Sequence, residues 1–214
     1  MKKRLTAIIL ITTLILGCFT VVSFGASPKK KMTVYDEVLK KGNTVFCVAT
    51  DGIYKVDLKT KNVNCLVKEP DFDIIGSPKS MKFYKGYLYF TRGGAVQDRL
   101  YRIKPNGKGK KSLASIYYDY AISKNKIYYE SYNFDKEKTT RRQMKLNGKS
   151  KKSSKYSVRN KCKKTNAKGY SIYHQNNGTV TEYDEGEPYY VSKHTDYLKT
   201  PGGLIQLCTY TTEE

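Results

Sequence analysis

The 214-residue chain has no tryptophan and two histidines, and it lacks the short patterns that mark common catalytic centres. It has no Gly-x-Ser-x-Gly nucleophile turn, no His-Glu-x-x-His helix, no phosphate-cradling loop and no glycine fingerprint for a dinucleotide. No cysteine stands in Cys-x-x-Cys or Cys/His spacing, which leaves a metal without a recognisable ligand set. Long helical periodicity is missing too, whereas Tyr, Thr, Val and Ile are plentiful, the composition of a β-protein. Acidic residues are scarce: 40 Lys and Arg face 19 Asp and Glu, a formal net charge of +21. Such a field draws polyanions and disfavours neutral or cationic partners. Lysines at turns and on solvent faces also keep strands soluble and discourage edge pairing, so charge alone names no ligand.

The N-terminus has the outline of an export signal. Met1-Lys2-Lys3-Arg4 is basic, Leu5 to Val22 is apolar without a charge, and Ser23-Phe24-Gly25-Ala26 places small side chains two apart. Residues 1–26 are therefore expected to be a signal peptide and 27–214 a single secreted or envelope-associated domain. A retained anchor is the first alternative, since the run reaches the lower limit for spanning a bilayer. The second is a lipoprotein, with Cys18 as the lipid attachment site after Gly17, although Leu16 is bulky and the apolar run continues past Cys18. Contact with a membrane is expected only if the leader is retained or lipidated. The four remaining cysteines, Cys47, Cys65, Cys162 and Cys208, permit two bridges in an exported protein, with free buried thiols as the competing reading.

Self-alignment is the informative step. Asn43-Thr44-Val45-Phe46-Cys47-Val48 resembles Gly86-Tyr87-Leu88-Tyr89-Phe90-Thr91, then Asn125-Lys126-Ile127-Tyr128-Tyr129-Glu130, then Gly169-Tyr170-Ser171-Ile172-Tyr173-His174, with starts 43, 39 and 44 residues apart. A second strand follows each, at Gly52–Leu58, Arg99–Lys104, Arg142–Leu146 and Asp196–Lys199. Asn106-Gly107, Asn147-Gly148 and Pro201-Gly202-Gly203 then offer tight turns. An outer strand comes next, with Leu66 and Leu113 each twelve residues after Tyr54 and Tyr101. A strand before each Gly/Asn start, as in Ser80–Tyr84 and Tyr118–Ile122, completes a unit of four antiparallel strands in about 40 residues, the size of a propeller blade. The expected fold is all-β, about four blades of four strands near 33–75, 76–115, 116–157 and 158–210, in an irregular or incomplete ring. Stacking of such sheets accounts for most of the tyrosines without any ligand.

The run Gly86 to Thr91 followed by Asp98-Arg99-Leu100-Tyr101-Arg102-Ile103-Lys104-Pro105-Asn106-Gly107 resembles a blade of the YWTD propellers of lipoprotein-receptor-related proteins. It resembles still more their bacterial relative, an extracellular propeller domain of unknown function. The resemblance spans roughly Asn43 to Tyr210 and implies a fold, not an activity. Departures are the missing Trp of the tetrapeptide, the polar third outer strand Lys149–Ser157, the small number of repeats, and an insertion from Asn176 to Thr195.

Few residues invite chemistry. Glu182, Asp184, Glu185 and Glu187 gather beside Tyr183, Tyr189 and Tyr190, which suits a charged hairpin tip better than a pair of hydrolytic carboxylates or a calcium loop. His174 and His194 could meet across a hairpin, but no third ligand accompanies them. Asn177-Gly178-Thr179 reads as a turn. Lys108, Lys110 and Lys111, and Lys149, Lys151 and Lys152, follow equivalent Asn-Gly turns and are the candidate polyanion-binding residues. The reading is a non-enzymatic binding module without a cofactor, whose partner is an extracellular protein or glycan. A lysine-rich protein binding anionic wall polymers is the alternative, and a glycan-cleaving enzyme the third. Export argues against nucleic acid.

Overall fold

The computed structural model describes residues 32–68, 78–93, 97–117, 119–158, 162–184 and 187–213; the leader and Cys18 lie outside them. All regular structure is β. A short strand β1 (Met32–Tyr35) precedes the first sheet, built from β2 (Val38–Lys41), β3 (Thr44–Ala49), β4 (Gly52–Asp57) and β5 (Val63–Lys68). The second sheet holds β6 (Pro78–Tyr84), β7 (Tyr87–Arg92), β8 (Asp98–Ile103) and β9 (Lys111–Ile116). The third holds β10 (Tyr120–Ser123), β11 (Lys126–Asn133), β12 (Lys138–Lys145) and β13 (Lys152–Ser153). After β14 (Cys162–Thr165), the fourth sheet contains β15 (Ser171–Asp184), β16 (Glu187–Thr200) and β17 (Gly203–Glu213). Each sheet is an antiparallel meander in chain order.

Alternation along the strands decides which sheets touch, because successive side chains leave a strand on opposite faces. In β3, Val45 and Cys47 pack with Leu198, Leu207 and Cys208 of the fourth sheet. Phe46 and Val48 pack with Met81, Leu88 and Phe90 of the second. Because both its faces are covered, β3 reads as a nearly unbroken apolar run. On the other face of the second sheet, Tyr89, Leu100 and Ile116 meet Tyr120, Ile127 and Met144 of the third. The stacking order is therefore fourth, first, second, third, and among the described residues no apolar cluster joins the third sheet to the fourth. This is a propeller-type stack that does not close into a ring.

The repeat signal has a local cause. Leu66, Leu113 and Leu207 are each skipped in the cross-strand register, so each is the extra residue of a β-bulge. The bulge aims Leu66 at the turn of the next sheet, where a Cβ on Gly107 would stand 3.4 Å from the Leu66 carbonyl oxygen; on Gly148 it would stand 3.1 Å from Leu113 Cδ2. Both glycines have positive φ (79° and 84°), which an L side chain adopts at a cost of about 1–2 kcal/mol. The equivalent offsets of Leu66 and Leu113 thus record a sheet-to-turn contact made twice.

Two expectations are corrected. The fourth sheet has three strands, not four: the segment before it, β14, pairs in parallel with β1, which meets β6 at Tyr35 and Met81. The reason is connectivity. The chain must travel from the third sheet to a fourth that packs on the first, and it runs along the inner edges on the way. Asn166 accepts hydrogen bonds from the Glu37 and Val38 amides (2.9 and 3.1 Å), and the Ala167 amide donates to the Val38 carbonyl (2.9 Å). The polar third outer strand is only Lys152–Ser153, since Lys149–Ser157 offers no apolar alternation to bury. The 176–195 insertion is the long hairpin that the sequence suggests. It lengthens β15 and β16 to 14 residues each, with a register shift between Asn176 and Gly178.

Candidate functional site

The six candidate lysines stand where repeat symmetry places them. In the second sheet the Gly107 amide donates to the Lys104 carbonyl (3.0 Å) and the Lys108 amide to Asn106 Oδ1 (3.1 Å). In the third, Gly148 donates to Lys145 (2.9 Å) and Lys149 to Asn147 Oδ1 (3.0 Å). The two turns are built alike, each Asn side chain fixing the amide two residues on. From them Lys108, Lys110 and Lys111 lead into β9, and Lys149, Lys151 and Lys152 into β13, the outermost strand of its sheet. All six are exposed, and Lys110 Nζ lies 5.8 Å from the ring centre of Tyr101.

Beside the second run the uncovered face of the third sheet forms a cleft of about 430 Å3. Its floor is Glu130 on β11, whose register partner on β12 is Arg141. Thr139, Thr140, Ser153, Ser154 and Ser157 supply hydroxyls around it. Glu130 is 3% exposed, and its Oε1 accepts from Ser157 Oγ (2.6 Å) and the Val158 amide (3.2 Å). These bonds satisfy a carboxylate that burial would otherwise penalise heavily. Arg141 Nε stands 3.9 Å from the same oxygen, close enough for attraction but beyond hydrogen-bond distance. Along the same face Tyr132 pairs with Thr139, and its ring stacks on Tyr117 (5.0 Å) and meets Phe134 edge-on (4.7 Å). Tyr156 and Val158 cover the neighbouring part of the face with Ala121 and Tyr128. The sequence reading did not find this cleft. Its signal was Glu130 at an otherwise buried alternation position, followed by the wholly polar Lys138–Gln143.

The histidines are not brought together as a ligand pair. His194 Nε2 lies 3.0 Å from Thr212 Oγ1 and its ring stacks on Tyr210, while His174 Nδ1 lies 2.6 Å from Asp196 Oδ1. Asp196 is fully buried at the seam between the fourth and first sheets, and its Oδ2 accepts from the Thr50 amide at 2.7 Å. Sequence reading took Asp196 only as the start of a strand. In the acidic hairpin, Glu182 accepts from the Tyr189 hydroxyl (2.9 Å), and this bond raises the tyrosine's pKa. Glu185 lies outside the described residues.

Cys47, Cys65 and Cys208 are free thiols. Cys47 and Cys65 flank Tyr54 in the register of the first sheet, and Cys208 packs against Cys47 and Tyr54 across the seam. Burial pushes the Cys208 thiol up to about 12, with the Asp51 carboxylate adding to it. Burial raises Cys47 and Cys65 as well, and Tyr54, whose hydroxyl donates to Asp51 (2.8 Å). Among the described residues no three Cys, His, Asp or Glu side chains converge as a metal site, and no helix is long and apolar enough to cross a membrane.

No protein-family profile matches the chain, and no curated protein matches it in sequence. Among solved structures it is similar to one from a study of two prolyl endopeptidases (11% identity, 74% of this chain and 24% of that one, TM-score 0.44). It is also similar to a chain of a nidogen/laminin complex (10%, 80% and 61%, 0.37) and to an oligogalacturonate lyase in complex with manganese (14%, 78% and 50%, 0.34). This chain spans less than two thirds of each, and likeness of this degree says nothing of activity.

Proposed function

We propose that the chain is an exported, non-enzymatic binding module of the bacterial cell envelope, and that its lysine-bearing sheet edges engage an anionic wall polymer. The observation that carries the reading is the repetition of the lysine edge. Two identically built turns hold three exposed lysines each on adjacent sheets, which makes a strip rather than a scatter of charge. A strip suits an extended polyanion, because each contact releases counterions and the contributions add along the chain. The leader-like residues 1–26 support export, and the basic composition suits a surface rich in phosphate or carboxylate.

Retention on purified cell walls tests it. Changing Lys108, Lys110, Lys111, Lys149, Lys151 and Lys152 to Gln should weaken retention and flatten its dependence on salt. If all six contact the polymer, the slope of log affinity against log salt should fall by roughly 4, from about 0.7 per neutralised contact on a single-stranded polyanion. Unchanged retention and an unchanged slope would assign these lysines to solubility alone.

A further inference from the structure

The cleft on the third sheet has a chemistry that the lysine strip does not explain. From its geometry we infer that it is a subsite for a hydroxyl-bearing unit, a sugar ring or a polyol, carried on the anionic polymer; the inference rests on the binding reading above and gives it selectivity. The argument begins at Glu130 and Arg141. One is an acceptor and the other only a donor, and they stand 3.9 Å apart at Oε1 and Nε without a hydrogen bond between them. Because Glu130 Oε1 already accepts from Ser157 and Val158, a hydroxyl group suits the gap by accepting from the guanidinium while donating to the other carboxylate oxygen.

Other ligand classes fit less well. A phosphate or carboxylate placed on the floor would face Glu130, a cation would face Arg141 and Lys152 of β13, and an apolar group would desolvate the lining hydroxyls without giving them partners. Those hydroxyls, of Thr139, Thr140 and three serines, both give and accept, as the repeated hydroxyls of a sugar or polyol require. Phe134, 49% exposed and in contact with Tyr132 on the strand that carries Glu130, offers a flat apolar surface for the C–H face of such a unit. About 430 Å3 lies within the range of small-ligand sites, roughly 300–1,000 Å3. Lys151 and Lys152 immediately precede the cleft residues Ser153 and Ser154, so a polymer whose charged groups follow the strip passes its uncharged units across the opening.

The test compares three polymers at matched charge and ionic strength, by calorimetric titration of the mature chain. Poly(glycerol phosphate) carries a polyol, polygalacturonate a sugar, and inorganic polyphosphate charge without carbon-borne hydroxyls. The expected result is at least a tenfold preference for one of the first two over polyphosphate, and which one identifies the unit as polyol or sugar. Thr139→Val, Arg141→Lys and Ser153→Ala together keep the net charge and alter only exposed positions. This variant should reduce the preferred polymer to the level of polyphosphate while leaving the salt slope intact, whereas the six-lysine variant should weaken all three alike. Equal binding of the three polymers by the unaltered protein, or a preference that survives in the triple variant, overturns the subsite and leaves the lysine reading standing. Failure to bind any of them overturns both.

Discussion

Asp196 ties the fourth sheet to the first beside their apolar seam, and its removal yields a graded outcome. One oxygen accepts from the Thr50 amide, contributed by the β3–β4 turn 146 residues away; the other meets His174. A hydrogen bond to a charged acceptor contributes about 1.5–3 kcal/mol, and the abandoned amide would be left half-buried. The His174 contact is worth less. Its side chain is 58% exposed, so water replaces it readily, and pairs of that exposure contribute about 0–1 kcal/mol. Asp196→Ala should therefore cost about 2–3 kcal/mol and His174→Ala at most about 1. In a domain of this size 1 kcal/mol moves the melting temperature by about 2–4 °C. Thermal unfolding followed by circular dichroism at pH 7 should then show a drop of about 4–12 °C for the first variant and under about 4 °C for the second. Hydrogen exchange should locate the loss of protection in β15–β17, since sheets of a stack open locally. Equal losses for the two variants would refute the reasoning, because the imidazole rather than the backbone amide would then be the principal partner.

The thiols and one turn carxboxylate give two further tests. At pH 8 maleimide should label Cys65 first, since it is exposed while Cys47 and Cys208 are buried, and all three should label more slowly than in urea because burial raises each thiol; a disulfide joining any two of them in exported protein would contradict the structure. Asp57 Oδ1 accepts from the Thr60 and Lys59 amides, which lowers the carboxyl's pKa. A folded pKa depressed below the unfolded value contributes stability above the unfolded pKa that is lost as pH falls through the folded one. An NMR titration should accordingly place Asp57 below an ordinary aspartate, and Asp57→Ala should shrink the acid-side loss of stability; a midpoint at or above the ordinary value would refute the turn geometry.

The strands were legible because their signals are local. Val45 and Cys47, Leu88 and Phe90, and Ile127 and Tyr129 hold the third and fifth positions of their repeats, and all face the preceding sheet. Positive φ at Gly42, Gly86, Asn125 and Gly169 sets the turn before each of these strands. Pairing of β14 with β1 was not legible, since a four-residue strand carries no mark of its partner across 126 intervening residues. Nor was the cleft, because Thr, Ser and Arg in a polar hairpin look like an ordinary solvated edge until Ser157 and Val158 fold back onto Glu130. Asp196 escaped for the same reason: its partner Thr50 belongs to the first repeat, and no local pattern joins them.

The same positional rule explains why the ring stays open where it does. In the fourth repeat the third and fifth positions are Ser171 and Tyr173, and Tyr173 is 45% exposed. The fourth and sixth positions of the third repeat, facing the missing contact from the other side, are Tyr128 and the charged Glu130. Closure there would have to bury a serine and a glutamate against each other, whereas Phe46, Val48, Leu88 and Phe90 occupy these places at the seam of the first and second sheets, and Tyr89, Thr91, Ile127 and Tyr129, none of them charged, at that of the second and third. Desolvating that carboxylate without replacing its hydrogen bonds would cost several kcal/mol, more than one tyrosine returns on burial. The chain instead lays Tyr156 and Val158 over part of the third sheet and lets Ser157 and the Val158 amide satisfy Glu130. Glu130, which opposes closure, is thus also a residue that lines the cleft, and Glu130→Leu should abolish the polymer preference of the proposed subsite while leaving the salt slope intact, an outcome that the same calorimetric titrations would read; a preference unchanged in this variant would refute the link.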